Sequence, residues 1–152
     1  LADALVFLDC DRQQVNRALT NVLKNAAEAI IAPEDEAGGS APGEISLSLA
    51  ENGDTVTITV EDNGSGIPEP MMDRLTEPYV TTRAKGTGLG LAIAKKIMED
   101  HGGRLALCNR AEGGAQVSLD FARTEARPER TEEPPEEDVG EARLNESIVH
   151  GA

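Results

Sequence analysis

Aromatic and basic residues are both scarce in this sequence of 152 residues. Aromatic residues make up only 2%, with no tryptophan, so the core has to be built from aliphatic side chains and few rings can stack on nucleic-acid bases. Lys and Arg number 14 against 28 Asp and Glu, which gives a formal net charge of −14. Because nucleic acids and anionic membrane surfaces select basic proteins, we expect neither as a partner.

Cysteines and long apolar runs are scarce as well. Cys10 and Cys108 are the only cysteines, and they form neither a CxxC pair nor a metal-binding spacing. Both lie in apolar runs, so we expect reduced thiols in the core of a cytoplasmic protein. No run approaches the roughly 18 apolar residues of a membrane-spanning helix, and no signal peptide is recognisable. Because the sequence begins at Leu1, within a few residues of a strand-like run, we expect a piece of a longer protein.

The hydrophobic pattern of the N-terminal part predicts a strand and then a helix. The apolar run 4–8 is typical of a short buried strand, and Asp9 and Asp11 are candidate N-caps for the helix. Apolar residues of that helix recur at spacings of three and four and form one stripe: Val15, Ala18, Leu19, Val22, Leu23, Ala26 and Ile30. Breakers and acidic residues over 33–43 then predict a surface loop.

Four later segments show the alternating apolar pattern of strands. They form two pairs, each joined by a turn signal: 45–49 with 56–60 around the turn 51–54, and 105–108 with 116–121 around the turn 112–114. A second helix is predicted between these pairs, from about Gly88 to Asp100. The stretch 62–90 is rich in Gly, Pro and Thr and lacks periodicity, and loops of such length are usually functional or disordered.

The composition changes after residue 123, where Glu, Arg and Pro dominate. Such a segment buries too little apolar surface to offset the entropy lost on ordering. We therefore predict an α+β domain over 1–123 and a disordered acidic tail over 124–152. The tail either aids solubility or docks a partner, and the sequence leaves both open.

The first polar motif lies on the first predicted helix. At about 100° per residue, Asn21, Asn25 and Glu28 fall on one face, away from the apolar stripe. Asn is a mediocre helix former, so two amides in register require an explanation. An amide oxygen suits Mg²⁺, which prefers oxygen ligands. The alternative is an ordinary solvated helix face.

The second motif, Glu61 to Pro68, directly follows a predicted strand. It places Asp62 at the strand end, followed by Gly64 and Gly66, whose lack of a side chain lets a ligand approach the backbone closely. A carboxylate only accepts hydrogen bonds and pairs well with an exocyclic amine such as adenine N6. An ordinary tight turn is the alternative interpretation of the same residues.

The third motif, Gly86-Thr87-Gly88-Leu89-Gly90, opens the second predicted helix. Glycines at a helix N-terminus expose N–H groups at the positive end of the helix dipole, where phosphates bind. The GxGxG spacing and the lack of a buried strand before it disfavour a Rossmann dinucleotide site. A P-loop is disfavoured too, since no Gly-Lys-Ser or Gly-Lys-Thr follows.

In this order, the three motifs resemble the N box and the first two glycine boxes of the GHKL superfamily of Bergerat-fold ATP-binding domains, which includes DNA gyrase B, heat-shock chaperones, MutL and histidine kinases. Residues 75–82 resemble the kinase F box, with Tyr79 where Phe is usual, and 112–115 resemble the last glycine box, with Ala115 where many members have Thr. The stretch 75–103 is similar to NtrY-type nitrogen-regulation kinases. The resemblance implies a two-layer α/β sandwich, with a mixed, mainly antiparallel sheet packed against helices and a mobile ATP lid.

The resemblance also implies roles for individual residues. Asn25 would coordinate Mg²⁺, Asp62 would accept from adenine N6, and about 69–85 would form the lid, whose basic residues would meet the phosphates as charges. The implied ATP-binding residues are Asn25, Glu28, Asp62, Gly64, Gly66, Ile67, Thr82, Arg83, Lys85, Gly86, Thr87, Gly88, Leu89 and Gly90. The implied catalytic residues are Asn21, Asn25 and Lys85, with Asn25 as the metal ligand.

Asn21 separates the branches of the superfamily. Gyrase-like and chaperone ATPases carry Glu there as a general base, whereas an Asn cannot take a proton at neutral pH. We therefore expect a sensor histidine kinase that uses ATP and Mg²⁺ and donates the γ-phosphate to a histidine of a separate dimerisation domain, upstream of a response regulator. A GHKL ATPase or serine kinase, and a nucleotide-binding signalling module without catalysis, are the alternatives.

The sequence shows no phospho-acceptor region. His101 closes a helix, where a structural or dipole role is expected, and His150 lies in the tail. The chain is therefore expected to be unable to phosphorylate itself. It is also expected to be monomeric, because dimerisation in the family lies in other helices. The resemblance implies a cytoplasmic domain. Many such kinases are anchored in the bacterial inner membrane, and the sequence leaves open whether the parent protein is one of them.

Overall fold

The fold is given by a computed structural model, which describes residues 6–31, 42–82 and 86–124. Its elements are α1 (Arg12–Ile31), β1 (Ile45–Asn52), β2 (Thr55–Asp62), a 3₁₀ turn (Glu69–Met71), α2 (Gly90–Asp100), β3 (Arg104–Asn109) and β4 (Ala115–Ala122). Both predicted helices and both predicted strand pairs are confirmed. Most of the predicted 33–43 loop, and the tail from 125 onwards, lie outside the described residues.

The strand predicted over 4–8 is not confirmed. Residues 6–8 belong to no strand, and 4–5 lie outside the described residues. The backbone N–H of Asp9, which comes next, donates to Thr124 Oγ1 at 3.0 Å, a side-chain partner rather than a strand neighbour. An apolar run of this length identifies a segment that packs, but it does not identify its backbone partner.

The four strands form one sheet with the order β1-β2-β4-β3. β1 and β2 are joined by a turn at Gly53, whose φ of +60° lies in the left-handed region that glycine adopts readily. β4 pairs with the other side of β2, with Val60 opposite Val117, and β3 forms the far edge. Every pairing among the described strands is antiparallel, in line with the expected mainly antiparallel sheet.

The core between helices and sheet is mainly aliphatic, as the composition predicts. The buried residues of α1 are three positions of the predicted stripe, and they pack with buried residues of α2 and β4: Ala18, Val22, Ala26, Leu91, Ala94, Ile97, Met98, Val117, Leu119 and Phe121. On β2, buried and half-buried residues alternate through Val56, Ile58 and Val60. Asp62 continues this alternation, so a carboxylate occupies the next buried position of the strand.

The start of α1 and the end of α2 are joined by a histidine. Asp11 Oδ1 accepts from the N–H groups of Gln13 and Gln14 at 2.9 and 3.1 Å, which confirms one of the two candidate N-caps. His101 Nε2 accepts from the N–H of Asp11 at 3.0 Å, and its Nδ1 lies 2.7 Å from Ile97 O. Both ring nitrogens therefore serve the fold, as expected for a structural histidine.

The two cysteines are free thiols, but the expectation that both lie in the core is wrong. Cys108 is exposed because side chains alternate along β3: Leu105 and Leu107 pack against the core, so Cys108 lies on the opposite face. Cys10 is half-buried, and this burial, together with the Asp9 and Asp11 carboxylates, raises the pKa of its thiol.

Candidate functional site

A cavity of about 350 Å³ opens between α1, the loop after β2 and the segment that leads into α2. It is lined by most of the residues that the sequence marked as ligand-binding or catalytic: Asn21, Asn25, Glu28, Asp62, Gly66, Ile67, Thr82, Gly86, Thr87, Gly88, Leu89 and Gly90. The three motifs, which lie far apart along the chain, therefore meet at one place.

Of the three remaining expected site residues, only Gly64 belongs to the described part of the chain, and it does not line the cavity. Arg83 and Lys85 lie outside the described residues. Gly64 instead faces the end of α1: a Cβ added to it would lie 2.6 Å from the carbonyl of Ala29, and the N–H of Ser65 donates to Ala29 O at 3.3 Å. Here glycine permits the loop to pack against a helix rather than a ligand to approach the loop.

Eight further residues line the cavity without having been marked as ligand-binding: Lys24, Ala29, Leu75, Val80, Thr81, Leu91, Ile93 and Ala115. Two of them carried a usable signal, since Lys24 adjoins the polar face of α1 and Ala115 ends the last glycine box. Several of the others are apolar residues, and hydrophobic patterns do not distinguish the wall of a cavity from the core.

Asp62 is 5% exposed and is the one buried charged or polar residue in the described part of the chain. Its Oδ1 accepts from the N–H groups of Gly64 at 2.9 Å and of Ala115 at 3.3 Å. These bonds orient the carboxylate and offset part of the cost of burying it. Since a carboxylate can accept about four hydrogen bonds, Asp62 retains capacity for a donor on a ligand in the cavity that it lines.

The turn between β3 and β4 holds the strand end that carries Asp62. Gly114 has a φ of +86°, and a Cβ added there would overlap the carbonyl group of Asp62. Arg110 Nη1 donates to the same carbonyl oxygen at 3.1 Å, and Arg110 Nε lies 3.7 Å from Glu61 Oε1. Asp62 is thus held through both its side chain and its backbone.

Tyr79 and Gly88, which flank residues 80–87 in the sequence, are in direct contact. The N–H of Tyr79 donates to Gly88 O at 3.0 Å, and a Cβ on Gly88 would lie 2.6 Å from the carbonyl carbon of Tyr79. Both residues have a φ of +67°, which is ordinary for glycine but rare for tyrosine. Because the Tyr79 side chain is 79% exposed, packing of its ring does not account for this strained backbone.

The start of α2 offers hydrogen-bond donors to the cavity. The helix begins at Gly90, and Leu89 before it has an apolar side chain that cannot cap the first N–H groups. Asn21 Nδ2 is buried and has no hydrogen-bond partner among the described residues. A buried donor without a partner costs about 1–3 kcal/mol, so this wall fits a ligand that carries acceptor oxygens.

Residues 10–125 match the domain family described as "Histidine kinase-, DNA gyrase B-, and HSP90-like ATPase". The chain belongs to this family. Over 110 residues it is 53% identical to the nitrogen regulation protein NtrY of Azorhizobium caulinodans, and the match covers 72% of this chain but only 14% of that protein. The chain therefore corresponds to a small part of this relative.

Solved structures of histidine kinases share the fold. The catalytic domain of histidine kinase ThkA matches with a TM-score of 0.64 at 32% identity, over 77% of this chain and 72% of that one. Full-length ShkA in complex with AMPPNP matches with a TM-score of 0.63 at 27% identity, over 80% of this chain and 24% of that one. These matches confirm the expected α+β sandwich of the histidine kinase ATPase family. No helix in the three described ranges is long and apolar enough to cross a membrane.

Proposed function

We propose that this domain binds Mg-ATP in the cavity and, as the catalytic part of a sensor histidine kinase, donates the γ-phosphate to a histidine of a separate dimerisation domain. The observation that carries the proposal is the buried Asp62 carboxylate, oriented by two N–H groups in a cavity that also contains the uncapped start of α2. An acceptor and a set of donors in one cavity match the amine of adenine and a triphosphate. The AMPPNP complex of the related ShkA gives further support, since AMPPNP is an ATP analogue.

On the base side, Asp62 would accept a hydrogen bond from adenine N6. Guanine carries an acceptor oxygen at the corresponding position, so the same carboxylate would disfavour guanine nucleotides. Gly66 and Ile67 line the cavity next to Asp62, and the φ of +70° at Gly66 shapes this part of the wall. The proposed site is therefore specific for adenine.

On the phosphate side, Gly86, Gly88 and Gly90 line the approach to α2. The N–H groups and the dipole at a helix start favour anionic groups. The buried Asn21 Nδ2 supplies one more donor. Lys85, in the lid sequence, would add positive charge near the transferred phosphate, which is the main requirement of phosphoryl transfer.

Asn25 is the residue that would hold Mg²⁺. Its side chain lines the cavity one helical turn from Asn21, and an amide oxygen is a suitable ligand for this hard cation. Glu28 lines the same wall one turn further along α1 and adds a carboxylate. These groups fit the ion, which when bound would offset the charge of the phosphates.

The proposed acceptor of the phosphate is a histidine outside this chain. Asn21 cannot act as a general base on water, which disfavours an ATPase. His101 is not a suitable acceptor, because both of its ring nitrogens are engaged with backbone groups. We therefore propose a dimerisation domain as the direct partner and a response regulator as the downstream partner, in a parent kinase that keeps this domain on the cytoplasmic side.

The transfer can be tested by supplying the acceptor in trans. The chain would be mixed with Mg²⁺, ATP radiolabelled on the γ-phosphate, and the isolated dimerisation domain of an NtrY-type kinase. We expect acid-labile, alkali-stable label on that domain, and none with Asn25→Ala. Asn16→Ala, an exposed change on the same helix, is the matched control and should transfer normally. Phosphate released without any label on the acceptor would favour an ATPase, and binding without transfer would favour a signalling module.

A further inference from the structure

We propose that Asn109 is a positioning residue of this site, whose side-chain amide fixes the backbone of Gly66 and Ile67 against the adenine ring. The inference rests on the proposed function, because it takes this wall of the cavity to be the one that meets the base. Asn109 is not among the residues that line the cavity, so it acts through the loop and not on the ligand.

Asn109 and Ile67 exchange a pair of hydrogen bonds. The N–H of Ile67 donates to Asn109 Oδ1 at 2.8 Å, and Asn109 Nδ2 donates to Ile67 O at 2.7 Å. The amide thus satisfies both the donor and the acceptor of one backbone residue, which requires a side chain that carries both groups. Two bonds to one residue restrain its direction as well as its position.

The same amide also packs against the turn at Gly66. Gly66 has a φ of +70°, and a Cβ added to it would lie 3.0 Å from Asn109 Oδ1. The side chain of Asn109 therefore packs directly against Gly66, on the side where a Cβ would lie. Gly66 and Ile67 line the cavity together with Asp62, and these three residues form the wall proposed to meet adenine, the base wall. A shift of this loop would change the shape of the base wall.

The position of Asn109 in the sheet couples it to Asp62. Asn109 is the last residue of β3 and lies opposite Ala115, the first residue of β4. The N–H of Ala115 donates to Asp62 Oδ1 at 3.3 Å. One end of the β3–β4 pair therefore orients both the carboxylate and the loop that continues from it.

Asn63 provides a matched comparison. Its Oδ1 accepts from the N–H of Glu44 at 2.8 Å, and its Nδ2 donates to Pro42 O at 2.9 Å. This pair has the same chemistry as that of Asn109, and both side chains belong to exposed residues. It differs in its target, since it ties the loop to the segment before β1 and not to the cavity wall.

The experiment compares Asn109→Ala, Asn109→Asp and Asn63→Ala with the unchanged chain. ATP and GTP affinities are measured by calorimetry, and exchange of the Ile67 N–H by NMR. Asn109→Ala should weaken ATP binding about tenfold, reduce the preference for ATP over GTP and speed exchange at Ile67. Asn109→Asp retains the acceptor for the Ile67 N–H but loses the donor to Ile67 O. Its ATP affinity should therefore lie between those of Asn109→Ala and the unchanged chain. Asn63→Ala should keep ATP affinity within about twofold.

Two results would overturn the inference while leaving the proposed function intact. One is ATP affinity of Asn109→Ala equal to that of the unchanged chain. The other is an equal loss in Asn109→Ala and Asn63→Ala with an unchanged ratio of ATP to GTP affinity, which would show a general effect of loop stability. Failure of the unchanged chain to bind ATP would overturn the proposed function and the inference together.

Discussion

The two walls of the cavity are held in different ways. On the base wall, Asp62 accepts a hydrogen bond from the N–H of Ala115 at the start of β4, and the Ile67 N–H donates to Asn109 Oδ1 at the end of β3. Both partners lie far away in sequence. The other wall includes 80–82 and 86–89, and it is flanked by the backbone contact between Tyr79 and Gly88. One wall is attached to the sheet, whereas the described parts of the other are flanked by a single backbone contact between Tyr79 and Gly88.

This difference corresponds to the two parts of the proposed ligand. An adenine ring is rigid, and a fixed acceptor recognises it best when no group has to be ordered on binding. A triphosphate is flexible and strongly charged, and Mg²⁺ and the helix start can organise it as it binds. We infer that base specificity resides in the preformed wall and that phosphate affinity depends on the ligand and its metal.

The largest effect is expected where the base wall is most crowded, at Gly114. Alanine there would overlap the Asp62 carbonyl and would carry a φ of +86°. Gly113 has a φ of +102° with nothing within 4 Å of an added Cβ, so it is the control. We expect Gly114→Ala to lower the free energy of unfolding by about 3 kcal/mol and to abolish ATP binding, and Gly113→Ala to cost about 1 kcal/mol. Similar losses in denaturant melts of both variants would show that backbone conformation alone sets the requirement.

On the other wall, which is proposed to meet the phosphates, Gly88 and Gly90 form the matched pair. A Cβ on Gly88 would lie 2.6 Å from the carbonyl carbon of Tyr79 at a φ of +67°, whereas a Cβ on Gly90 would make an ordinary contact of 3.8 Å with Asn21. Gly88→Ala should therefore destabilise the fold by about 2 kcal/mol, and Gly90→Ala should change its stability by less than about 1 kcal/mol. Equal melting temperatures for the two variants would show that the close contact between Tyr79 and Gly88 does not require glycine at position 88.

Most helices and strands of the fold could be predicted from the sequence, because their apolar residues follow local spacing rules. Spacings of three and four gave α1, alternation gave the four strands, and glycines before an apolar stripe gave the start of α2. The strand over 4–8 is not confirmed, since residues 6–8 form no strand and an apolar run does not specify a hydrogen-bonding partner. The core position of Cys108 was wrong because an apolar run does not imply burial on both faces, and alternation puts Cys108 on the face opposite Leu105 and Leu107.

The site was predictable as a set of motifs but not as a set of contacts. Asp62 and the glycines of the third motif stood out by residue type and order along the chain. Gly64 lies against Ala29 instead of the cavity, and nothing in a Gly-Ser-Gly sequence indicates which glycine faces which way. Asn109 did not stand out at all, because its partner Ile67 is distant in sequence and such pairing depends on the fold.

Removal of Mg²⁺ sharpens the comparison by acting on one wall. Chelation should lower ATP affinity about tenfold and leave adenosine binding unchanged, because only the phosphates require the charge of the metal. Without Mg²⁺, Asn25→Ala should bind ATP as the unchanged chain does. Calorimetry with ATP and adenosine, with and without chelator, checks both statements. A loss of adenosine binding on chelation would show that the metal supports binding of the base and would contradict its assignment to the phosphates.

The smallest effect is expected at Tyr79, where a strained backbone carries an exposed ring. Asn tolerates a positive φ better than tyrosine, so Tyr79→Asn should raise the free energy of unfolding by about 0.5–1 kcal/mol. Tyr79→Ala is the control, because it removes the same ring but alanine tolerates a positive φ less well than asparagine. Denaturant unfolding of both variants measures the difference, and a lower stability for Asn than for Ala would show that strain is not relieved.

The most direct test of adenine binding at the preformed wall is calorimetric titration of ATP into the unchanged chain and into Asp62→Asn. The substitution keeps the size of the side chain but replaces one acceptor oxygen with a donor, which would oppose adenine N6. We predict saturable ATP binding by the unchanged chain and a loss of at least about 100-fold in Asp62→Asn, with a similar melting temperature. Equal ATP affinity in the two proteins would contradict the assignment of the base to Asp62.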